Sequence, residues 1–160
     1  VIDQVLEEDY QLVICGWTEA SRLDLMYKDK ELPVTSASHH HHKRFPWIKQ
    51  YYAEHYDQKH ATETWLAKVL ALQDFLKYRG QKYVFVSMDG QWDDQYYKNL
   101  GVQHMADAVD KTRYLGWPQE GFTHWQDGCP LGPNGHPLEL GHQLIADKIY
   151  EHIRNKQWFS

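Results

Sequence analysis

Apolar positions in this chain fall into runs of two kinds. Trp65, Leu66, Val69, Leu72 and Leu76 recur at intervals of three and four residues, the spacing that gathers side chains on one helix face. Gly80 stands where such a helix would end in a left-handed C′ residue. A second helix is predicted from Ile145, Ile149 and Ile153, whose opposite face carries Asp147, Lys148, Glu151 and Arg154. The other kind of run is short and continuous. Residues 10–16, ending Val13-Ile14-Cys15-Gly16, and Lys82-Tyr83-Val84-Phe85-Val86-Ser87 are compact, partly β-branched and apolar, and read as buried strands. Residues 1–8, with Val1, Val5 and Leu6 on one side, read as helical.

The order strand, long helix, strand fits a right-handed parallel crossover. The expected fold is α/β: a three-layer α/β/α sandwich with a mainly parallel, flavodoxin-like sheet. Residues 18–60 are aromatic and His-rich with little clean periodicity, punctuated by Pro33 and Pro46, and are expected to be irregular. Residues 88–100 read as loop to short helix, and Val102 and Met105 lead into a further element. The Gly-, Pro- and Trp-rich stretch from Tyr114 to Pro133 is expected to cross the surface as a loop. Ligands of such sheets sit beyond the carboxyl ends of the strands, so residues 16–18, residues 87–89 and the loop around His136 should converge on one rim.

Composition sets outer limits. A chain of 160 residues, 42% hydrophobic and 14% aromatic, can bury one core, and residues 1–160 are most simply one domain. The net charge of −5, with only Lys43-Arg44 as a basic run, argues against general nucleic-acid or anionic-membrane binding. No stretch has the apolar length of a membrane span. Cys15 falls in a predicted strand and Cys129 in a loop, which supports no disulfide and leaves the redox compartment open.

The most informative chemistry lies in Gly135-His136-Pro137-Leu138-Glu139-Leu140-Gly141-His142. Pro137, with φ locked and no N–H, suits a first helical position and puts His136 at the cap. Glu139 then falls in the first turn, where its charge complements the helix dipole. A histidine at the mouth of an anchored helix is held as a general base must be, although a plain capping role explains the same spacing.

This block, with its Leu144-Ile145-Ala146 continuation, resembles the last motif of the SGNH (GDSL-type) hydrolases. The resemblance implies a Ser-His-Asp triad in which His136 is the base. Where the family's acid is usual, this chain has Pro133 and Asn134; Asn134 can orient an imidazole but cannot stabilise an imidazolium as a carboxylate does. Asp127 is the nearest upstream carboxylate that would replace it. The strand ending Gly16-Trp17-Thr18-Glu19 is similar to the family's Gly-x-Asn-Asp block, which implies an oxyanion hole from Gly16 and Thr18. Thr18 replaces the usual Asn and offers a single, shorter-reaching donor. The plain alternative is a strand–loop junction whose glycine supplies a positive φ. Trp17, Glu19 and Arg22 are the expected substrate contacts, with Arg22 as a solvated charge in the alternative. The family's Gly-Asp-Ser block is not found, so the chain is expected to begin inside its domain with the nucleophile supplied upstream.

Other residues carry less. His39–His42 is too compact for the spaced ligands of a structural zinc site and reads as exposed loop, open to adventitious metal. Ser87 ends a strand but lacks the Gly-x-Ser-x-Gly context of a nucleophile elbow. Trp17, Trp92, Trp117 and Trp125 would stack on sugar rings in a cleft, or simply pack. Two functions follow: an ester hydrolase needing no cofactor or metal and acting on a small-molecule or glycan ester, carbohydrate acetyl esters being implied by the family; or a non-catalytic SGNH-like module that binds glycan or builds a virion. The motifs are similar to those of marine phage members of the family.

Overall fold

A computed structural model describes residues 10–27, 30–35, 45–89, 92–132, 136–156 and 158. In chain order its elements are β1 (Val13–Trp17), β2 (Leu23–Tyr27), β3 (Lys30–Val34), α1 (Pro46–Glu54), α2 (Gln58–Tyr78), β4 (Tyr83–Ser87), α3 (Asp94–Asn99), α4 (Gln103–Asp107), β5 (Tyr114–Leu115), α5 (Phe122–Trp125) and α6 (Glu139–Asn155). The protein is mixed α/β. β1, β4 and β5 form a parallel sheet in the order β1-β4-β5, while β2 and β3 pair separately as an antiparallel hairpin.

Burial shows why β4 is the central strand. Its five residues are all buried, and their side chains alternate between two cores, as the two-residue period of a strand requires. Tyr83 and Phe85 join Val13 and Cys15 of β1 and the apolar stripe of α2. Val84 and Val86 face the other way, against Trp125 of α5 and Ile145 of α6. Among the described residues β1 is covered on one face: Val13 and Cys15 are 8% exposed, whereas Ile14 is 49% exposed and Gly16 is also exposed.

The predicted α2 stripe is the buried one: Leu66, Val69 and Leu76 are fully enclosed. Asp57 caps the helix by accepting from the His60 N–H at 2.9 Å. Gly80, at φ +65°, ends it: its N–H reaches the Lys77 carbonyl and the Gln81 N–H the Leu76 carbonyl, a Schellman motif. The buried polar residue of the stripe, Gln73, donates to the Ala108 carbonyl and accepts from the Asp110 N–H at 2.7 Å, tying the turn after α4 to α2. Asp110 also meets Lys77 at 3.0 Å. Partial burial would raise its carboxyl pKa, but hydrogen bonds from Thr112 and Lys77 and the Lys77 charge outweigh that and hold it below the usual range.

Three expectations need correction. Residues 18–60 are not irregular throughout, since they hold the hairpin and α1, which starts with Pro46 at its first position. Tyr52 of α1 donates to the Ser21 carbonyl at 2.6 Å and lies 3.2 Å from that of Val34, so one hydroxyl fastens helix to hairpin. Tyr114–Pro133 is not one loop. β5 extends the sheet and α5 packs under it, because Tyr114 and Trp125 have core places to fill.

The third correction concerns α6. Pro137 is not its first residue: Leu138, extended at φ −87° and ψ −175°, is the N-cap, and Glu139 opens the helix. Pro137 instead bridges Leu131 in extended pairing, which keeps it outside the helix. Glu139 does lie in the first turn, and Ile145, Ile149 and Ile153 do face the core. Among the described residues no helix is long and apolar enough to cross a membrane. The residues 1–8 helix and the His39–His42 run lie outside the described residues.

Candidate functional site

Parallel pairing of Trp17 with Ser87 puts the carboxyl ends of β1 and β4 side by side, and the Met88 N–H continues the ladder to the Trp17 carbonyl at 2.8 Å. The chain leaving β1 then turns away from the sheet, with Arg22 N–H closing on the Glu19 carbonyl at 3.2 Å. This turn, the end of α1 and the first half of α2 enclose a cleft of about 400 Å³. That is within the size range of small-molecule sites. Trp17, Thr18, Glu19 and Arg22, expected from sequence to touch substrate or oxyanion, all line it.

Each is set differently. Trp17 is half-buried, edge-on to Trp65 and Phe85. The Thr18 carbonyl accepts the Trp65 indole N–H at 2.9 Å, which pins the turn to α2. Arg22 is neutralised locally by Asp24 at 2.7 Å, so it is an ion-paired wall rather than a free charge. Glu19 makes no ion pair among the described residues, and its charge is felt by two tyrosines. Burial first, then the neighbouring Tyr96 and Glu19, pushes the Tyr56 hydroxyl up to about 12. Burial and then Glu19 raise Tyr52 as well. Both phenols therefore stay protonated; the Tyr52 hydroxyl is already given to the Ser21 carbonyl, and Tyr56 is the one that lines the cleft and can donate into it.

Gly16 is the penultimate residue of β1, and positive φ belongs to Gly80, Gly101, Gly116 and Gly128, not to Gly16. The alternative in which Gly16 supplies a left-handed junction is thereby corrected: the strand simply continues through it.

His136 is not among the cleft-lining residues. It is exposed, three residues before the helix, and its carbonyl accepts the Gly132 N–H at 2.8 Å. Its neighbourhood reaches the sheet's carboxyl end by way of α5. Thr123 N–H donates to the Met88 carbonyl at 3.2 Å, and a Cβ on Gly141 would lie 2.8 Å from Pro137 Cβ and 3.4 Å from Gln126 Cβ. Asp127 is exposed and makes no side-chain hydrogen bond or ion pair among the described residues. Asn134 lies outside the described residues.

The tight fit at Gly141 gives a first prediction. Gly141→Ala gains roughly 1 kcal/mol of helix propensity but forces Pro137 and Gln126 apart, at about 1–3 kcal/mol. The expected result is a net loss of stability in thermal melts, with no change in ligand affinity at the distant cleft.

Ser87 is buried, its hydroxyl 3.0 Å from the Tyr114 hydroxyl, and is spoken for. Burial raises the Cys15 thiol, so it is no nucleophile either. Among the described residues no group of three or more His, Cys, Asp and Glu side chains is placed to hold a metal ion. Of the four tryptophans weighed as stacking surfaces, only Trp17 lines the cleft. Trp92 and Trp117 pack around Trp65, and Trp125 is buried and donates to Glu120 at 3.1 Å.

Sequence reasoning missed the α1–α2 side of the cleft, which includes Tyr51, His55, Tyr56 and His60. A signal for it existed: Asp57, Ala61, Thr64 and Lys68 repeat with helical spacing beside the apolar stripe.

Fold and site together define an α/β protein with a parallel sheet and a ligand-sized cleft beside the carboxyl end of its first strand. Beyond that class, no protein-family model, curated protein or solved structure matches the chain.

Proposed function

We propose that the chain is an SGNH-like α/β/α domain that binds a glycan or similar polyhydroxylated molecule in this cleft. The observation that carries the reading is the cleft itself: it is lined by an aromatic side chain, Trp17, a carboxylate, Glu19, that makes no ion pair among the described residues, and the protonated Tyr56 hydroxyl. Sugars present apolar ring faces to aromatic groups and hydroxyls to carboxylates, so both halves of the ligand find partners. Burial of β4 on both faces supports the three-layer arrangement.

Binding is tested by calorimetry against linear oligosaccharides. Glu19→Ala, which removes a charged acceptor, is expected to weaken the ligand by about tenfold or more while leaving the melting temperature unchanged. Equal affinities for the two proteins would refute the role of Glu19.

A second reading, ester hydrolysis, is favoured by the Thr123–Met88 and Gln126–Gly141 contacts, which link the start of α6 to the sheet's carboxyl end. In it a serine outside the described residues attacks an acyl carbonyl and passes its proton to His136. Asn134 or Asp127 orients the ring, and Gly16 N–H and Thr18 stabilise the oxyanion. The full-length protein should then turn over p-nitrophenyl acetate, and His136→Ala should lower kcat/KM by about 10²–10⁴. No turnover, or turnover indifferent to His136, ends this reading for simple acyl substrates.

A further inference from the structure

The side of the cleft made by α2 has a direction. Asp57, His60, Ala61, Thr64, Trp65 and Lys68 all line it, following one another at intervals of three and one, so they form a single stripe along the helix. At 1.5 Å rise per residue the stripe runs about 16 Å from Asp57 to Lys68, far longer than one sugar ring. Its middle is kept low by the small side chains of Ala61 and Thr64, and Trp17, edge-on to Trp65, also lines the cleft.

The two ends differ in chemistry. The turn that carries Glu19 is held to the end of α1 by Tyr52, which donates to the Ser21 carbonyl, and Glu19 lines the cleft together with Tyr56, which immediately precedes the Asp57 cap of α2. Lys68 lies at the other end, nearly one turn beyond Trp65; it is exposed and makes no ion pair among the described residues. Arg22, the other cation of the cleft, is already engaged by Asp24. The stripe therefore begins at an open acceptor, passes an aromatic face and ends at an open donor.

We propose that the cleft is an extended groove for a linear oligosaccharide lying along α2, with Glu19 anchoring the unit at the helix N-terminus and Lys68 selecting for chain length at the far end. This rests on the glycan reading given above and adds to it a direction and a residue that sets specificity for length. An anionic unit, such as a uronate, is the best partner for Lys68, because an ammonium–carboxylate hydrogen bond is stronger than one to a neutral hydroxyl.

The test is a calorimetric series from monosaccharide to pentasaccharide on three backbones: β1,4-linked glucose, β1,4-linked N-acetylglucosamine and α1,4-linked galacturonate. Affinity on at least one backbone should climb by about tenfold or more between the shortest and longer members, then level off. Lys68→Ala should remove that climb and leave the monosaccharide constant unchanged; Lys68 is exposed, so the variant is expected to fold. A monosaccharide that binds as tightly as its oligomers, or a Lys68→Ala loss equal at every length, would overturn the extended groove and leave the glycan reading standing. Absence of binding by every member of all three series would overturn both.

Discussion

Trp65→Ala is expected to give the largest loss of stability of any single cleft substitution, about 3–5 kcal/mol, or a fall in Tm of roughly 6–20 °C. Trp65 is only 8% exposed and sits at the centre of the aromatic cluster: edge-on to Trp17 at 6.3 Å and to Trp92 at 5.4 Å, and stacked on Trp117 at 6.2 Å. Its truncation leaves a cavity bordered by rigid rings that cannot collapse into it. It also strands the Thr18 carbonyl, which loses the indole N–H that holds the turn. Trp65→Phe separates the two effects, because it keeps most of the ring volume and discards the hydrogen bond. Chemical denaturation should place Trp65→Phe well above Trp65→Ala, with ligand affinity nevertheless reduced in both. If Trp65→Phe binds like the parent protein, the hydrogen bond to Thr18 does not shape the cleft.

Gly116→Ala is expected to cost about 2–4 kcal/mol, for two reasons that add. Gly116 has φ +80°, and a Cβ there would meet the Glu120 carbonyl oxygen at 2.6 Å, a backbone atom that also belongs to the turn closed by Glu120 N–H and Gly116 carbonyl at 2.7 Å. The strain would not stay local. Glu120 accepts the Trp125 indole on one side of the sheet, and Trp117, next in sequence, stacks on Tyr97 at 5.6 Å on the other. Gly128 supplies the control. At φ +77° it has nothing within 4 Å of the place a methyl group would occupy, so Gly128→Ala meets backbone strain alone, about 1–2 kcal/mol. Equal losses for the two alanine variants in denaturant melts would show that the Glu120 contact yields freely.

The stripe from Trp65 to Leu76 and the run from Tyr83 to Ser87 made α2 and β4 legible in the sequence, because deep burial leaves few residue types at those positions. Parallel pairing of β1 with β4 followed from the order strand, long helix, strand. The hairpin and α1 were not legible, although Pro46 was a usable start signal. α1 buries only Ile48 fully, so its apolar pattern is thin, and its place depends on the distant Tyr52 contacts with Ser21 and Val34. β5 has two residues, too few for any period to show.

The candidate site divides in the same way. Trp17, Thr18, Glu19 and Arg22 could be found because they follow a recognisable strand. Tyr56, in the connection between α1 and α2, and Lys68, on an α2 face that looks like ordinary solvated surface, reach the same cleft only through tertiary packing. His136 was placed near the right helix but at the wrong position, because the Leu131–Pro137 bridge holds it in the approach to α6.

The stacked and edge-on indoles beside the cleft have an optical consequence. Trp17, Trp65, Trp92 and Trp117 are linked by centroid separations of 5.4–6.3 Å, close enough for excitation absorbed by one ring to be shared with the others. Trp17 is the member of that antenna with a half-open face on the cleft. A molecule settling against it perturbs the emission of the whole group, which gives this protein an unlabelled spectroscopic gauge of its own occupancy.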